Sequence, residues 1–282
     1  MYTLIVENEK GEQLELTHNE AYDVIKIEGL NPPPAAINNT EISGVDGAKF
    51  NNSKVNPRNL VIYLNIKSPI EENRQALYDY FHVKRKVKIY FKNQNRDVYI
   101  EGYVETFEND LFENLQKPQI SIICPEPFWK AVDDLLVEFS DDISLFEFPF
   151  AIEEEGIELS QVNLETTKVI NNGNVETGAI IEFYATTNQI LNPIIYNRTA
   201  QTFFKLNFDM YAGDLITINT NQGQKSVTLT RNNITTNIIG NRESGSSWIQ
   251  FLPGANEISY DADVGVENLI VNLSLIQKFE GV

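Results

Sequence analysis

Hydrophobic residues in this chain recur mainly with a period of two, the spacing that puts alternate side chains on one face of a β-strand. In Arg58-Asn-Leu-Val-Ile-Tyr-Leu-Asn-Ile66, residues Leu60, Ile62, Leu64 and Ile66 share a face. Further strands are predicted over 83–91, 98–107 and 119–124, with a turn at Asn93-Gln-Asn95 and a stop at Pro125 and Pro127. One segment changes period. Asn73, Ala76, Leu77, Tyr80 and Phe81 share a helical face, and Ser68-Pro69-Ile70-Glu71 has the form of a capping box with proline at the first helical position. The pattern predicts a helix over 70–82 packed on an antiparallel sheet or small barrel.

The stretch between the strand that ends at Gly29 and the strand led by Arg58 carries Pro32-Pro33-Pro34 and a Gly44-Val-Asp-Gly47 turn. The prolines donate no backbone hydrogen bonds and keep the chain extended. A loop of this length with so little of its own to bury is expected to touch another molecule.

The second half alternates short strands with Asn/Gly turns at Asn171-Asn172-Gly173 and Asn221-Gln-Gly223. Leu215–Thr220 and Lys225–Thr230 form a plausible hairpin, Trp248–Leu252 an apolar strand, and Leu269, Val271, Leu273 and Leu275 alternate near the C-terminus. This predicts a β-sandwich. The expected organisation is a domain over 1–130, an acidic connector over 131–160 and a second domain over 161–282. The connector holds ten acidic and no basic residues, and Leu145, Phe146, Phe148 and Phe150 are expected to pin it to a surface.

Charge sharpens this division. The 282 residues carry a net charge of −18. Residues 1–130 hold 15 basic and 19 acidic side chains, residues 131–282 hold 7 and 21. Such a chain is not built to hold nucleic acid stably. The N-terminus has no basic region and no apolar run, so no signal peptide is expected. No segment approaches the roughly 20 consecutive apolar residues of a membrane helix, and no membrane partner is expected. Cys124 is the single cysteine, which excludes an intrachain disulfide framework and suits a reducing compartment.

Candidate chemistry is sparse. His18 and His82 have no neighbour at metal-ligand spacing. There is no nucleophile elbow and no phosphate-cradling glycine loop. Asp261-Ala-Asp263-Val-Gly265 begins like a calcium loop, but Asn272 stands where a bidentate glutamate belongs, and a plain turn is favoured. No catalytic residue, metal or cofactor is expected. Lys84, Lys86 and Lys88 would share one face of a strand, either as a solvated edge or as a subunit contact toward the acidic half. Trp248 is either core or a glycan-stacking platform.

Taken in order, these features resemble the siphovirus-type distal tail protein family. In the first half the resemblance rests on Ile27-Glu-Gly-Leu-Asn-Pro, Asp46-Gly47, the Arg58 strand, Glu72–Phe81, Ile100-Glu-Gly-Tyr-Val104 and Gln119–Phe128. In the second it rests on Asn171-Asn-Gly173, Gly213-Asp214 with its hairpin, the Trp248 region and Phe279-Glu-Gly-Val282. The resemblance implies a mainly β protein: an N-terminal β-barrel-like domain with one helix and a C-terminal galectin-like or carbohydrate-module-like β-sandwich. It implies a structural, non-enzymatic adaptor, made in the bacterial host cytoplasm and placed at the virion tail tip. It further implies a homo-oligomer, a hexameric ring, that joins the tail tube to the hub or tail-associated lysin and to receptor-binding proteins. The pattern ends without a long extension, so no inserted receptor-binding module is expected. A phage, a prophage and a tail-derived particle share these parts. The competing expectation is a carbohydrate-binding sandwich that recognises host surface glycans. A cell-wall glycoside hydrolase ranks third.

Overall fold

The computed structural model describes residues 2–44, 46–113, 115–139 and 166–282. Leu145, Phe146, Phe148 and Phe150, expected to pin the connector, lie outside these. The chain divides into two units, Met1–Asp133 with Lys278–Val282, and Asp134–Gln277.

The first unit contains β1 (Thr3–Glu7), β2 (Gln13–Glu15), β3 (Tyr22–Glu28), β4 (Ala35–Glu41), β5 (Ala48–Val55) and β6 (Arg58–Ile66). After these come the helix α1 (Ile70–Tyr80), β7 (Lys86–Lys92), β8 (Asp97–Glu108), β9 (Gln119–Cys124) and β10 (Trp129–Ala131). The main antiparallel sheet runs β2-β1-β7-β8-β9-β6-β3. Its end strands β2 and β3 do not pair with each other, so it is barrel-like without being closed. Leu60, Ile62, Leu64 and Ile66 are buried on the inner face as their alternation requires, together with Val87, Ile89, Ile100, Val104, Ile120 and Ile122. Leu77 and Phe81 bring the helix onto this core, and Tyr22 Oη donates to the Asn73 carbonyl at 2.9 Å.

The predicted capping box does not form. Pro69 is the cap residue, no side chain caps the helix, and Glu71 is drawn instead to Arg74. Arg74 is buried on the inward face and also donates to Gln116 Oε1 at 3.3 Å. The demand of that buried cation takes the glutamate away from the backbone.

The second unit contains β11 (Leu135–Phe139), β12 (Thr167–Asn171), β13 (Ile180–Ala185), β14 (Ile190–Leu191), β15 (Ile194–Asn197) and β16 (Thr202–Lys205). It continues with β17 (Asp209–Met210), β18 (Leu215–Asn219), β19 (Ser226–Arg231), β20 (Ile234–Asn237), β21 (Gly254–Asp261) and β22 (Leu269–Leu275). A six-stranded sheet, β11-β22-β13-β18-β19-β20, and a four-stranded sheet, β12-β21-β15-β16, share one core built on Phe183, Phe204, Phe251, Ile195, Ile216 and Val271. That is the expected sandwich, with β18 and β19 as the expected hairpin. β11, which falls in the predicted connector, is an edge strand of the larger sheet, its Leu135 opposite Leu275. Trp248–Leu252 is not a strand. Its backbone is held by an isolated bridge between Phe251 and Thr177 and by side-chain amides: Asn197 Nδ2 donates to the Gln250 carbonyl at 2.9 Å, and Asn256 bonds both the N–H and the carbonyl of Leu252.

After β22 the chain returns to the first unit, where β23 (Lys278–Phe279) pairs with β10. Arg58 holds this return in place. It is 2% exposed. Its Nε donates to the Pro127 carbonyl at 2.7 Å and Nη1 to the Asn31 carbonyl at 2.7 Å and to the Gly29 carbonyl, while Nη2 donates to Glu280. The Trp129 ring lies 5.8 Å from the guanidinium carbon. Gly29 has φ +87°, and a Cβ there would come within 2.3 Å of the Asn59 carbonyl oxygen, so this turn requires glycine.

Arg58→Ala should lower the unfolding free energy by on the order of 2–4 kcal/mol, because a part-buried acceptor stripped of its donor costs about 1–3 kcal/mol. It should also expose the last five residues to carboxypeptidase. Arg58→Lys should not rescue either effect, since one ammonium cannot serve three separate segments. An unchanged denaturant midpoint for Arg58→Ala would show the clamp to be dispensable.

Candidate functional site

The long stretch after Gly29 is a β-hairpin arm. Its strands β4 and β5 pair only with each other. Every strand residue of the arm is exposed except Ala36, which is half-buried. An isolated two-stranded ribbon in water is marginal at best, and among the described residues no other strand pairs with this one.

The arm nevertheless has two different faces. The register runs Ala35↔Val55, Ile37↔Ser53 and Asn38↔Asn52, then shifts to Asn39↔Phe50, leaving Asn51 as the extra residue of a bulge. Ile37, Phe50 and Val55 therefore share one face with Ala35 and Ala48, interspersed with Asn39, Glu41 and Ser53. Asn38, Asn52, Thr40 and Asn51 share the other, where Asn38 Nδ2 donates to Asn52 Oδ1 at 2.6 Å and Asn51 Nδ2 to Thr40 Oγ1 at 2.7 Å. The apolar face is uncovered: Ile37 is 62% and Phe50 59% exposed.

A second uncovered apolar element joins β8 to β9. Leu111 and Leu115 are about half exposed, and Phe112 is 99% exposed. The segment is held from beneath. Buried Gln116 accepts from Asn109 Nδ2 at 2.8 Å and from Arg74, and the Phe112 N–H donates to Asp110 Oδ1 at 3.0 Å. Nothing in the sequence pattern marked these leucines and this phenylalanine. The available signal was apolar residues interrupting an otherwise acidic, Asn-rich turn.

The three lysines do not share one strand face. Lys84 precedes β7 in a turn with φ +67°. Lys86 is in the strand and bonds Glu101 at 2.7 Å. It begins an alternating chain in which Glu101 meets Lys130 at 3.6 Å, Lys130 meets Glu126 at 2.7 Å, and Glu126 meets Lys278 at 2.7 Å. Lys88 lies over the Tyr99 ring at 3.9 Å. Among the described residues Lys84 has no ion-pair partner. Trp248 is half-buried against the sandwich core, with Phe204 at 5.2 Å and the Lys225 and Arg242 cations each 5.7 Å from its ring.

Burial pushes the Glu126 carboxyl up, but Lys130 and Lys278 outweigh it and hold it below its ordinary value. Glu101 is likewise pushed up by burial and held low by Lys86 and Lys130. In the turn over 261–265, Asp263 is engaged by Lys205 and Asn192, each at 2.8 Å. His18 and His82 are exposed and stand in different segments. Among the described residues no group of three or more His, Cys, Asp or Glu is placed to hold a metal ion, and no helix is long and apolar enough to cross a membrane.

The shape of both units recurs in phage tails. The chain aligns along its full length with the crystal structure of the SPP1 Dit (gp 19.1) protein, described as a paradigm of the hub adsorption apparatus in Gram-positive-infecting phages. The TM-score is 0.69 at 14% identity, covering 99% of each chain. Chains in the phage P2 baseplate in its activated conformation, with calcium and with strontium, match with TM-score 0.58 at 9% identity, over 100% of each chain. No curated protein sequence matches. Two family models fall one on each unit: the phage tail protein RIFT-related domain over residues 9–124, and the siphovirus-type tail component C-terminal domain over residues 172–272.

The chain belongs to the siphovirus distal tail protein family. It is a phage tail component.

Two predictions follow from this geometry. Replacing residues 36–54 of the arm with a short Gly-Ser link should leave the thermal midpoint within about 2 °C, because no core residue is lost. A drop of ten degrees would mean that the arm supports the first unit's own fold. The second concerns acid. Glu101 and Glu126 bind protons less readily when folded, so their contribution is complete above about pH 5 and fades as pH falls through their lowered pKa values. Denaturant titrations at about pH 5.5 and about pH 3.5 should show a smaller loss for Glu126→Gln than for the parent chain. Equal losses would remove the ion chain from the acid response.

Proposed function

We propose that this distal tail protein forms a closed ring at the tail tip, a hexamer, that joins the tail tube to the hub or tail-associated lysin and carries receptor-binding proteins. The observation that carries the reading is the arm, a ribbon with a bare apolar face on a unit that matches a phage tail domain. A ring needs two different complementary patches on each subunit. The arm supplies one. Lys84 remains available as a further contact, whereas Lys86 and Lys88 already have internal partners. The role is structural: neither cofactor nor catalysis belongs to it. The chain is made in the bacterial cytoplasm and assembled there into the virion tail. A glycan-binding role for the sandwich has less support, because the ring of Trp248 is already engaged by Phe204, Lys225 and Arg242.

Native mass spectrometry across a wide concentration range tests this. A discrete hexamer is expected, and a strict monomer throughout would overturn self-assembly. A glycan-array signal abolished by Trp248→Ala would instead establish the sandwich as a sugar reader.

A further inference from the structure

The arm and the Phe112 segment lie at opposite ends of the same strands. The arm leaves the sheet after β3 and rejoins it at Arg58, the first residue of β6, which pairs with Cys124 at the end of β9. The Phe112 segment precedes β9 at the other end of β6, where the Leu64 N–H donates to Pro118 at 3.1 Å and the Ile66 N–H to Gln116 at 3.0 Å. At about 3.3 Å per residue, the length of β6 separates the two by roughly 26 Å. Within one chain the exposures of Ile37, Phe50 and Phe112 show that neither element covers the other.

We propose that the apolar face of the arm, Ile37, Phe50 and Val55, packs on Leu111, Phe112 and Leu115 of the next copy of this chain. The inference rests on the ring proposed above and names its contact. Four observations converge on it. Both elements are apolar and bare. They stand at opposite ends of one unit, as a head-to-tail contact requires and a two-fold contact does not. The backbone around Phe112 is tied to buried Gln116, which also accepts from Arg74, so less of the segment has to be ordered when Phe112 is covered. The arm's other face is a hydrogen-bonded Asn and Thr ladder suited to water. In the contact the ribbon would be covered on one face and wet on the other, the condition in which an antiparallel sheet is stable.

The test uses the full chain with Phe50→Cys and Phe112→Cys and a short bis-maleimide. The native Cys124 is fully buried and its thiol is pushed up to about 12 by burial, so it contributes no background. The double variant should give a ladder of covalent oligomers on a denaturing gel. Each single variant alone should give none, and an equimolar mixture of the two singles should stop at dimers. A dimer from Phe50→Cys alone would overturn the head-to-tail contact in favour of arm meeting arm. Oligomers in native mass spectrometry without a ladder would overturn this contact and leave the ring standing. Monomers in both assays would overturn both. As a second arm of the test, Phe50→Ser and Phe112→Ser should each weaken self-association by about tenfold or more with an unchanged thermal midpoint, since both side chains are exposed in the free chain.

Discussion

The first unit depends on one buried cation. Four carbonyls converge on the guanidinium of Arg58, from the turn after β3, the segment before β10 and the end of the chain. They lie in turns and at the chain end, where side chains rather than strand ladders must supply donors. Arginine is the one side chain with enough fixed donors to serve three segments at once. Burial lowers its pKa from the ordinary value, yet such a group stays charged, and Trp129 roofs it with an aromatic face. The arm leaves and rejoins the sheet at this point. Its root is therefore rigid although its length is unsupported.

Charge plays a different part from the one its amount suggests. The chain is strongly acidic, yet the basic residues of the first unit are largely occupied by neighbours within that unit. Lys86, Lys130 and Lys278 alternate with Glu101 and Glu126, and Lys88 sits over tyrosine rings. Part-exposed pairs of this kind contribute little each. Their joint effect is to fix β10 and β23 side by side beneath the clamp. The second unit does the same with Asp214 and Arg231, where burial raises the carboxyl but the guanidinium and the Tyr211 N–H bring it below its ordinary value. On this acidic surface the arm and the Phe112 segment add uncovered apolar side chains, Ile37, Phe50 and Phe112.

Strands with one buried face were legible because alternation is a direct image of burial; β18 and β22 follow it residue by residue, and β6 and β9 depart from it only at Val61 and Ser121, which are buried on the opposite face. The arm was expected from the sequence to touch another molecule, but it was not legible as a hairpin. Its strands are rich in asparagine, which disfavours strands, and neither face is buried, so burial left no pattern to read. Trp248–Leu252 misled for the opposite reason: it is apolar and partly buried, but side-chain amides from Asn197 and Asn256 hold its backbone in place of a neighbouring strand. β11 was hidden by its acidic surroundings. The capping box failed because Arg74, a residue from the same helix, competes for Glu71. For Trp248–Leu252 and for β11 the missing information was a partner distant in sequence.

A contact as small as the one inferred for the arm is suited to ring building. Covering one large apolar side chain stabilises by about 1.5–3 kcal/mol at most, so Ile37, Phe50 and Val55 with their acceptors supply a modest gross gain. Part of that gain offsets the ordering of a ribbon that is marginal alone, leaving a weak pairwise junction. In a closed ring the last junction forms within one assembly, where the effective concentration of arm and acceptor is far above that in solution. Open intermediates therefore stay reversible while the closed ring holds. A longer or stickier arm would pair strongly with any exposed sheet edge, including those of unfinished subunits. The Asn and Thr face, the bulge at Asn51 and the shortness of the apolar patch all limit that hazard, and they are the features that make the arm look weak in the isolated chain.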